Sequence, residues 1–202
     1  MLGVAERFTE RTRERLRAEI LDAATAEVLA HGWRGLRMQV VADAVGVSRQ
    51  TLYNEYTSKQ GLARALALTI ADRYHRETVR IIEHSADVRA AIGDTIAWTM
   101  ETSADDTLLK TLLGADGGET FLPLYTSEGA PVIELAVGTV GAAFRRRFPD
   151  LDPGRLALVM ETSTRYVLSH LVLRTRPGER VARDAASLFG DYLLSPGLSS
   201  PV

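Results

Sequence analysis

The sequence predicts an all-α fold of about nine helices, and three observations support this prediction. Apolar residues recur at the three-to-four spacing of a helix, for example at Leu16, Ile20, Ala24 and Val28. Strand-like alternation of apolar and polar residues is scarce. Glycine and proline fall mainly between the periodic segments, where they end one helix before the next begins.

Composition and charge exclude several classes of protein. The 202 residues suffice for one large domain or two small ones, and 46% are hydrophobic. A net charge of −2 argues against a polybasic nucleic-acid binder but does not bear on a local basic face, because net charge averages over the whole chain. The absence of cysteine excludes disulfides and thiolate chemistry. No apolar run suits a signal peptide or reaches the ~20 residues of a membrane helix, so we expect a cytoplasmic protein.

The N-terminal helices have clear end signals. The first is predicted over about residues 12–31, and Gly32 ends it in a left-handed conformation. The second covers about 38–45 and stops at Gly46. Ser48 is an N-cap for the third, over about 49–56. Thr57 and Gln60 have the spacing of a capping box, and Ser58 is an alternative cap for a fourth helix.

The rest of the chain continues the helical pattern. The fourth helix is long and carries its apolar stripe to about Ile82. The stretch GADGGETFLP contains three glycines and a proline and is predicted to be a loop. The remaining helices are predicted over about 87–102, 105–115, 131–148, 153–174 and 179–194.

The second and third helices with their tight glycine turn predict a helix-turn-helix. Ala42 must be small because the following helix crosses close to it, and Leu52 fills the angle between the two helices. The outer face of the third helix then carries polar side chains, at Arg49, Gln50, Thr51, Tyr53, Asn54 and Tyr56. Such a set can contact base edges and phosphates. Lys59 begins the next helix, where free N–H groups also attract a phosphate.

This segment resembles the DNA-binding domain of the TetR family of transcriptional regulators. The residues that carry the resemblance are Val41-Ala42, Val45-Gly46-Val47-Ser48, Thr51-Leu52-Tyr53, Tyr56, Lys59 and Leu62. The match covers about residues 15–68, and the remainder resembles the family only in length and helical pattern. The resemblance implies a helix-turn-helix DNA-binding domain over 1–57 and a helical effector-binding and dimerisation domain over 58–202.

The resemblance also assigns roles to residues. Ser48, Thr51, Tyr53 and Lys59 would grip the DNA backbone. The sequence-reading positions would be Arg49, Gln50 and Asn54. Arg37, Gln39 and Tyr56 complete the expected contact set.

Several of these positions keep an alternative. Arg37 stands where the family often has a capping threonine, so it would reach a phosphate or the adjacent groove, with a surface salt bridge as the alternative. Tyr56 could instead pack inward. Glu55 is an acid near the DNA face that would point away or accept from a cytosine amine. The arginines of the first helix, which include Arg13 and Arg17, either touch phosphates or form a solvated face with their neighbouring acids, and we favour the second.

The resemblance implies a repressor that binds a palindromic operator as a homodimer and is released by a small effector. The apolar residues predicted to line the effector pocket, which favour a hydrophobic effector, are Trp98, Met100, Leu112, Phe121, Leu124, Tyr125 and Met160. The last two helices would form the dimer interface. Its predicted residues are Leu156, Val159, Ser163, Tyr166, Val167, His170, Val181, Ala185, Leu188, Phe189 and Tyr192.

No motif for catalysis, a cofactor or a metal is evident. Asp72 and His75 are three residues apart on one face, a weak ligand-like spacing, and we expect satisfied surface residues there instead of metal ligands. We expect neither enzymatic activity nor a cofactor. Two alternatives remain open: a helical enzyme or carrier that kept a relic helix-turn-helix, and an architectural DNA binder with no effector, whose C-terminal part would be filled solid.

Overall fold

The computed structural model describes residues 2–196, with side chains from residue 9 onwards, and this part of the chain is all-α, as predicted. Its ten helices are α1 Leu2–Gly35, α2 Met38–Ala44, α3 Arg49–Tyr56, α4 Lys59–His84, α5 Val88–Asp105, α6 Thr107–Leu113, α7 Gly118–Tyr125, α8 Ala130–Arg147, α9 Pro153–Val172 and α10 Gly178–Leu194.

Helix α7 is the element that the sequence did not predict. It occupies much of the expected loop and includes Pro123, which cannot donate a backbone hydrogen bond. The helix forms nevertheless because it buries Phe121, Leu124 and Tyr125, each at most 7% exposed. Burial of these side chains outweighs the lost hydrogen bond, and the helices number ten within the described residues rather than about nine.

The chain divides into two compact units. The first consists of Met1–Ala67 with Thr107–Phe121, and the second of Leu68–Asp106 with Leu122–Val202. Helix α4 contributes residues to both units, and α6 belongs with the N-terminal helices. The division at residue 57 stays a prediction about function, since these units describe packing alone.

The core of the first unit is built from one apolar stripe of α1. Ile20, Ala24 and Val28 are fully buried, together with Leu52 of α3 and Leu62 of α4. Side chains of this kind pack between neighbouring helices and let α1, α3 and α4 share one core. Helix α3 is therefore stabilised by burial of its inner side, since eight residues form a poor helix in isolation.

The core of the second unit lies between α5, α8, α9 and α10. Large buried side chains come from each helix, including Ile92, Phe144, Leu156 and Phe189. Two helices begin at predicted positions because acidic residues cap them. The carboxylate of Asp87 accepts from the N–H of Ala90, and that of Asp152 from the N–H of Arg155.

Candidate nucleic-acid interface

The turn between α2 and α3 has the geometry that the sequence predicts. Gly46 has a φ of 71°, a value that glycine adopts without strain. The N–H of Val47 donates to the carbonyl of Ala42 at 3.0 Å, which closes the turn. Ser48 then caps α3, since its hydroxyl accepts from the N–H of Thr51 at 3.0 Å. Ala42 and Leu52 are both fully buried, which fixes the two helices against each other.

The outer face of α3 carries exposed polar side chains that are already ordered in pairs. Arg49, Gln50 and Asn54 are exposed, whereas Tyr53 is half-buried. Arg49 Nη2 donates to the Tyr53 hydroxyl at 3.3 Å, and its guanidinium lies 5.3 Å from the ring centre. Gln50 Nε2 donates to Asn54 Oδ1 at 3.0 Å. Both pairs join residues four apart, which are neighbours on a helix surface.

Tyr56 does not belong to this face. Its side chain is 5% exposed and its hydroxyl donates to the carbonyl of Arg17 at 3.0 Å. Burial raises the pKa of this hydroxyl. The expected DNA contact is therefore corrected to the inward-packing alternative, because the only donor of this side chain is used inside the first unit.

Glu55 points away from the outer face of α3, towards α1. Arg13 Nε lies 2.9 Å from both carboxylate oxygens, and Arg17 Nε lies 3.2 Å from Oε2. The glutamate side chain is only 12% exposed. These ion pairs neutralise the Glu55 carboxylate, which would otherwise repel DNA phosphates. They also engage two arginines that would otherwise be free to contact phosphates.

Lys59 lies against the segment that leads into α2. Its Nζ donates to the carbonyls of Leu36 at 2.9 Å and Arg34 at 3.4 Å, and sits 4.9 Å from the centre of the Trp33 ring. Burial lowers the pKa of this amine. In this conformation Lys59 stabilises the turn before α2, and a phosphate contact remains a prediction.

The two predicted contacts on α2 are at the surface. Arg37 precedes the helix and forms no side-chain cap. Its Nε is 3.8 Å from Oε1 of the buried Glu27, while most of the side chain remains exposed. Gln39 donates to Asp43 Oδ1 at 2.7 Å. Both side chains can still reach a ligand, so their assignment stays a prediction.

A hinge at Gly32 is held by Asp116, which sequence reasoning did not single out. Gly32 has a φ of 73° and a ψ of 170°, which breaks the helical path of α1. Asp116 Oδ2 accepts from the N–H groups of Trp33 and Arg34. Trp33 Nε1 also donates to Thr120 at 3.0 Å. The positive φ at Gly32 was predictable, but its partner lies 84 positions further along the chain and no local pattern indicates it.

The predicted effector residues lie in both units. Leu112 and Phe121 belong to the first, where the Phe121 ring meets Trp33 edge-on at 4.8 Å. The others, which belong to the second, are Trp98, Met100, Leu124, Tyr125 and Met160. Met100 and Met160 are part of one buried cluster. Leu124 and Tyr125 are also buried, whereas Trp98 is half-buried.

Polar groups accompany the aromatic residues of the second unit. The Tyr74 hydroxyl donates to Asp106 Oδ2 at 3.1 Å, and the Tyr74 ring lies 5.4 Å from Trp98. Burial raises the pKa of both Tyr74 and Tyr125, so each hydroxyl keeps its proton. Burial also lowers the pKa of His75 to about 4. Its Nδ1 is buried and has no hydrogen-bond partner among the described residues, so the expectation of a satisfied surface residue is wrong for His75.

The residues predicted for the dimer interface fall into two groups. Those that pack inside the core of their own subunit, each at most 5% exposed, are Leu156, Val159, Val181, Ala185 and Phe189. These side chains have almost no surface left for a partner, so the structure assigns them to the core instead. The ones that keep accessible surface are Ser163, Tyr166, Val167, His170, Leu188 and Tyr192. Leu188 is 62% exposed, and Leu158 of α9 is also exposed.

Neither metal-binding nor membrane-spanning features occur among the described residues. No three His, Asp or Glu side chains there come close enough to hold a metal ion, and Asp72 and His75 are no exception. None of the ten helices combines the length and apolarity that a membrane crossing requires.

Comparisons with known proteins agree with this architecture. The family model described as "Bacterial regulatory proteins, tetR family" matches residues 20–66, and "Bacterial Tetracyclin repressor, C-terminal domain" matches residues 87–190. The HTH-type transcriptional regulator AlkX of Mycobacterium tuberculosis is 30% identical over 192 residues, which cover 92% of this chain and 88% of that protein.

Solved structures give the same result. The TetR family repressor AlkX from Dietzia sp. strain DQ12-45-1b, implicated in biodegradation of n-alkanes, matches with a TM-score of 0.76 and 26% identity. The match covers 88% of this chain and 94% of that one. The transcriptional repressor QsdR of R. erythropolis matches with a TM-score of 0.66 at 19% identity, covering 87% of this chain and 94% of its own, and supports the fold alone.

Proposed function

Because this chain belongs to the TetR family of transcriptional regulators, we propose that it is a repressor that binds a palindromic operator as a homodimer and leaves it when a small hydrophobic effector binds. Family membership confirms the resemblance carried by residues 41–62. It also excludes the enzyme alternative, since members of this family are regulators of transcription.

The observation that carries operator binding is the exposed polar face of α3. Arg49, Gln50 and Asn54 stand on a helix whose start is capped by Ser48 and whose inner side is fixed by buried Leu52. A rigid short helix with donors and acceptors on its free side suits the major groove. Backbone contacts are proposed for Ser48, Thr51 and Tyr53, with Lys59, Arg37 and Gln39 at the edge.

A homodimer would present two such helices to successive major grooves about 34–36 Å apart. The surface proposed to pair lies on α9 and α10 and includes exposed Leu188 together with half-buried Ser163, Tyr166 and His170. Leu188→Glu would place a charge in that contact, and we expect it to convert the dimer to a monomer in sedimentation velocity. Glu179→Gln, at the exposed start of α10, is the matched control. A Leu188→Glu protein that stays dimeric would locate the interface elsewhere.

The effector is proposed to be apolar because the candidate residues in the second unit are mainly aromatic or aliphatic. The Dietzia relative is implicated in n-alkane biodegradation, which makes a hydrocarbon or an acyl compound the first class to test. The Tyr74 hydroxyl, whose proton is donated to Asp106, can accept one hydrogen bond from a terminal polar group of the effector.

Two measurements test the proposal. An electrophoretic shift on the DNA that flanks its own gene should show a specific complex that survives a large excess of random duplex. A thermal-shift series with medium-chain alkanes, alcohols and fatty acids should raise the Tm, because a ligand stabilises the folded state by RT ln(1 + [L]/Kd). The same compound should dissociate the protein–DNA complex in the electrophoretic shift. DNA binding with no responsive compound would favour the architectural alternative instead.

A further inference from the structure

We propose that Gln50 reads an adenine in the operator and that Asn54 holds the Gln50 amide in the orientation this requires. The inference rests on the proposed function, because both residues belong to the outer face of α3. Here Gln50 contacts the base, which is adenine, and Asn54 only positions Gln50.

The geometry of the pair is defined by the helix. Gln50 and Asn54 lie one turn apart, and Gln50 Nε2 donates to Asn54 Oδ1 at 3.0 Å. Leu52, which lies between them in the sequence, is fully buried, so rotation of the helix would expose its side chain. Both amides are exposed to solvent. The bond between them restricts a glutamine side chain that would otherwise lose much rotamer freedom on binding.

The remaining atoms of the Gln50 amide match one base edge. A side-chain amide offers two N–H donors and one carbonyl acceptor, and Asn54 uses one donor. In the proposed arrangement Asn54 accepts from the N–H that points away from Oε1, which leaves the N–H on the Oε1 side next to that oxygen. In the major groove adenine presents an acceptor, N7, beside a donor, the N6 amino group. Guanine presents two acceptors and would place one against Oε1, so the pair discriminates against it.

The neighbouring side chains Arg49 and Glu55 are not suited to recognise adenine. Arg49 can only donate, which suits guanine or a phosphate, and its guanidinium already rests on Tyr53. Glu55 is held by Arg13 and Arg17 and does not compete for the Gln50 donors. Adenine recognition on this part of α3 therefore depends on one amide and its neighbour.

Selection from a pool of duplex DNA with a randomised centre tests the assignment. The full-length wild type should enrich a symmetric site with a fixed adenine in each half, where another base costs about 5- to 150-fold in affinity. Gln50→Ala should lose selectivity at that position alone. Gln60→Ala, an exposed glutamine of α4 outside the contact set, should select the wild-type site.

Substitutions at Asn54 separate positioning from simple contact. Asn54→Asp keeps the acceptor for Gln50 Nε2, so it should bind all duplexes more weakly but keep the preference for adenine. Asn54→Ala removes the acceptor and should reduce that preference. Replacing the selected adenine with 7-deazaadenine should cost wild type about 2- to 10-fold, for one lost hydrogen bond, and should cost Gln50→Ala nothing.

Three results would overturn the inference while DNA binding itself stood: a fixed base other than adenine at the position that Gln50→Ala relaxes, an equal loss of affinity for all duplexes with Gln50→Ala, or no effect of 7-deazaadenine on wild type. Loss of the adenine preference in Asn54→Asp would refute the role given to Asn54. A wild-type protein that enriches no sequence would instead refute the proposed function.

Discussion

Asp116→Ala removes the carboxylate that holds the hinge at Gly32. The two N–H groups that follow the hinge, those of Trp33 and Arg34, donate to this one side chain. Gly32 cannot be replaced to make the same test, because an added Cβ would lie 2.7 Å from the Asp116 oxygen and its φ is positive. The aspartate is therefore the side to change.

The expected loss can be worked from the two hydrogen bonds. The Trp33 N–H is partly buried, and leaving it without its charged acceptor costs about 1–3 kcal/mol. The bond from Arg34 is 3.3 Å long and exposed, so water replaces it at little cost. We expect Asp116→Ala to lower the free energy of unfolding by about 1–3 kcal/mol, and Asp116→Asn, which keeps a neutral acceptor, by about half of that.

Urea unfolding followed by Trp33 fluorescence is the assay. The sequence has two tryptophans, so a Trp98→Phe background makes Trp33 the sole reporter. Trp33 is 4% exposed, so its fluorescence should shift to longer wavelength when the protein unfolds. Asp150→Ala, at an exposed turn, is the matched control. If Asp116→Ala unfolds at the same urea concentration as the parent, or if Asp150→Ala is destabilised equally, the hydrogen bonds at the hinge do not contribute as described.

Three further outcomes are expected. Gly46→Ala should destabilise the protein by about 1–2 kcal/mol, because no atom crowds the added Cβ and only the positive φ opposes it; equal stability in urea would contradict this. Lys59→Gln should reduce the salt slope of DNA binding by about one if the amine leaves the Leu36 carbonyl for a phosphate; an unchanged slope would show that it stays. The lowered pKa of His75, about 4 against 6.5, means that the unfolded chain binds more protons between those values. Stability should therefore fall as pH drops through this window, and His75→Phe should show a flatter dependence of Tm on pH; parallel curves would contradict it.

Local signals in the sequence predicted most helices because each signal acts within a few residues. Ser48, Asp87 and Asp152 cap the helices that follow them, and the glycine after α2 has the expected positive φ. Such caps depend on backbone groups two or three positions away. The segment around α7 escaped prediction since its glycines and Pro123 oppose a helix locally, and only burial of Phe121 and its neighbours favours one.

The sequence also predicted the polar residue types that α3 carries, but it did not predict the direction in which each side chain points. Tyr56 is an aromatic with one polar atom, and either the core or the surface suits it until the position of the Arg17 carbonyl is known. Likewise, Val159 and Phe189 belong to apolar stripes that would serve equally in a core or a dimer interface. Periodicity identifies an apolar face and does not say which partner covers it.

By itself the sequence determined the all-α class, the helix-turn-helix with its outward amides, and the family. These follow from period, caps and a motif of fixed spacing, all of which are short-range properties of the chain. Only the tertiary structure decided that Glu55 is neutralised by α1, that Tyr56 packs inward, and that Asp116 holds the hinge at Gly32. Each of these contacts joins residues far apart in sequence, and its energy arises only when folding brings a donor and its acceptor together.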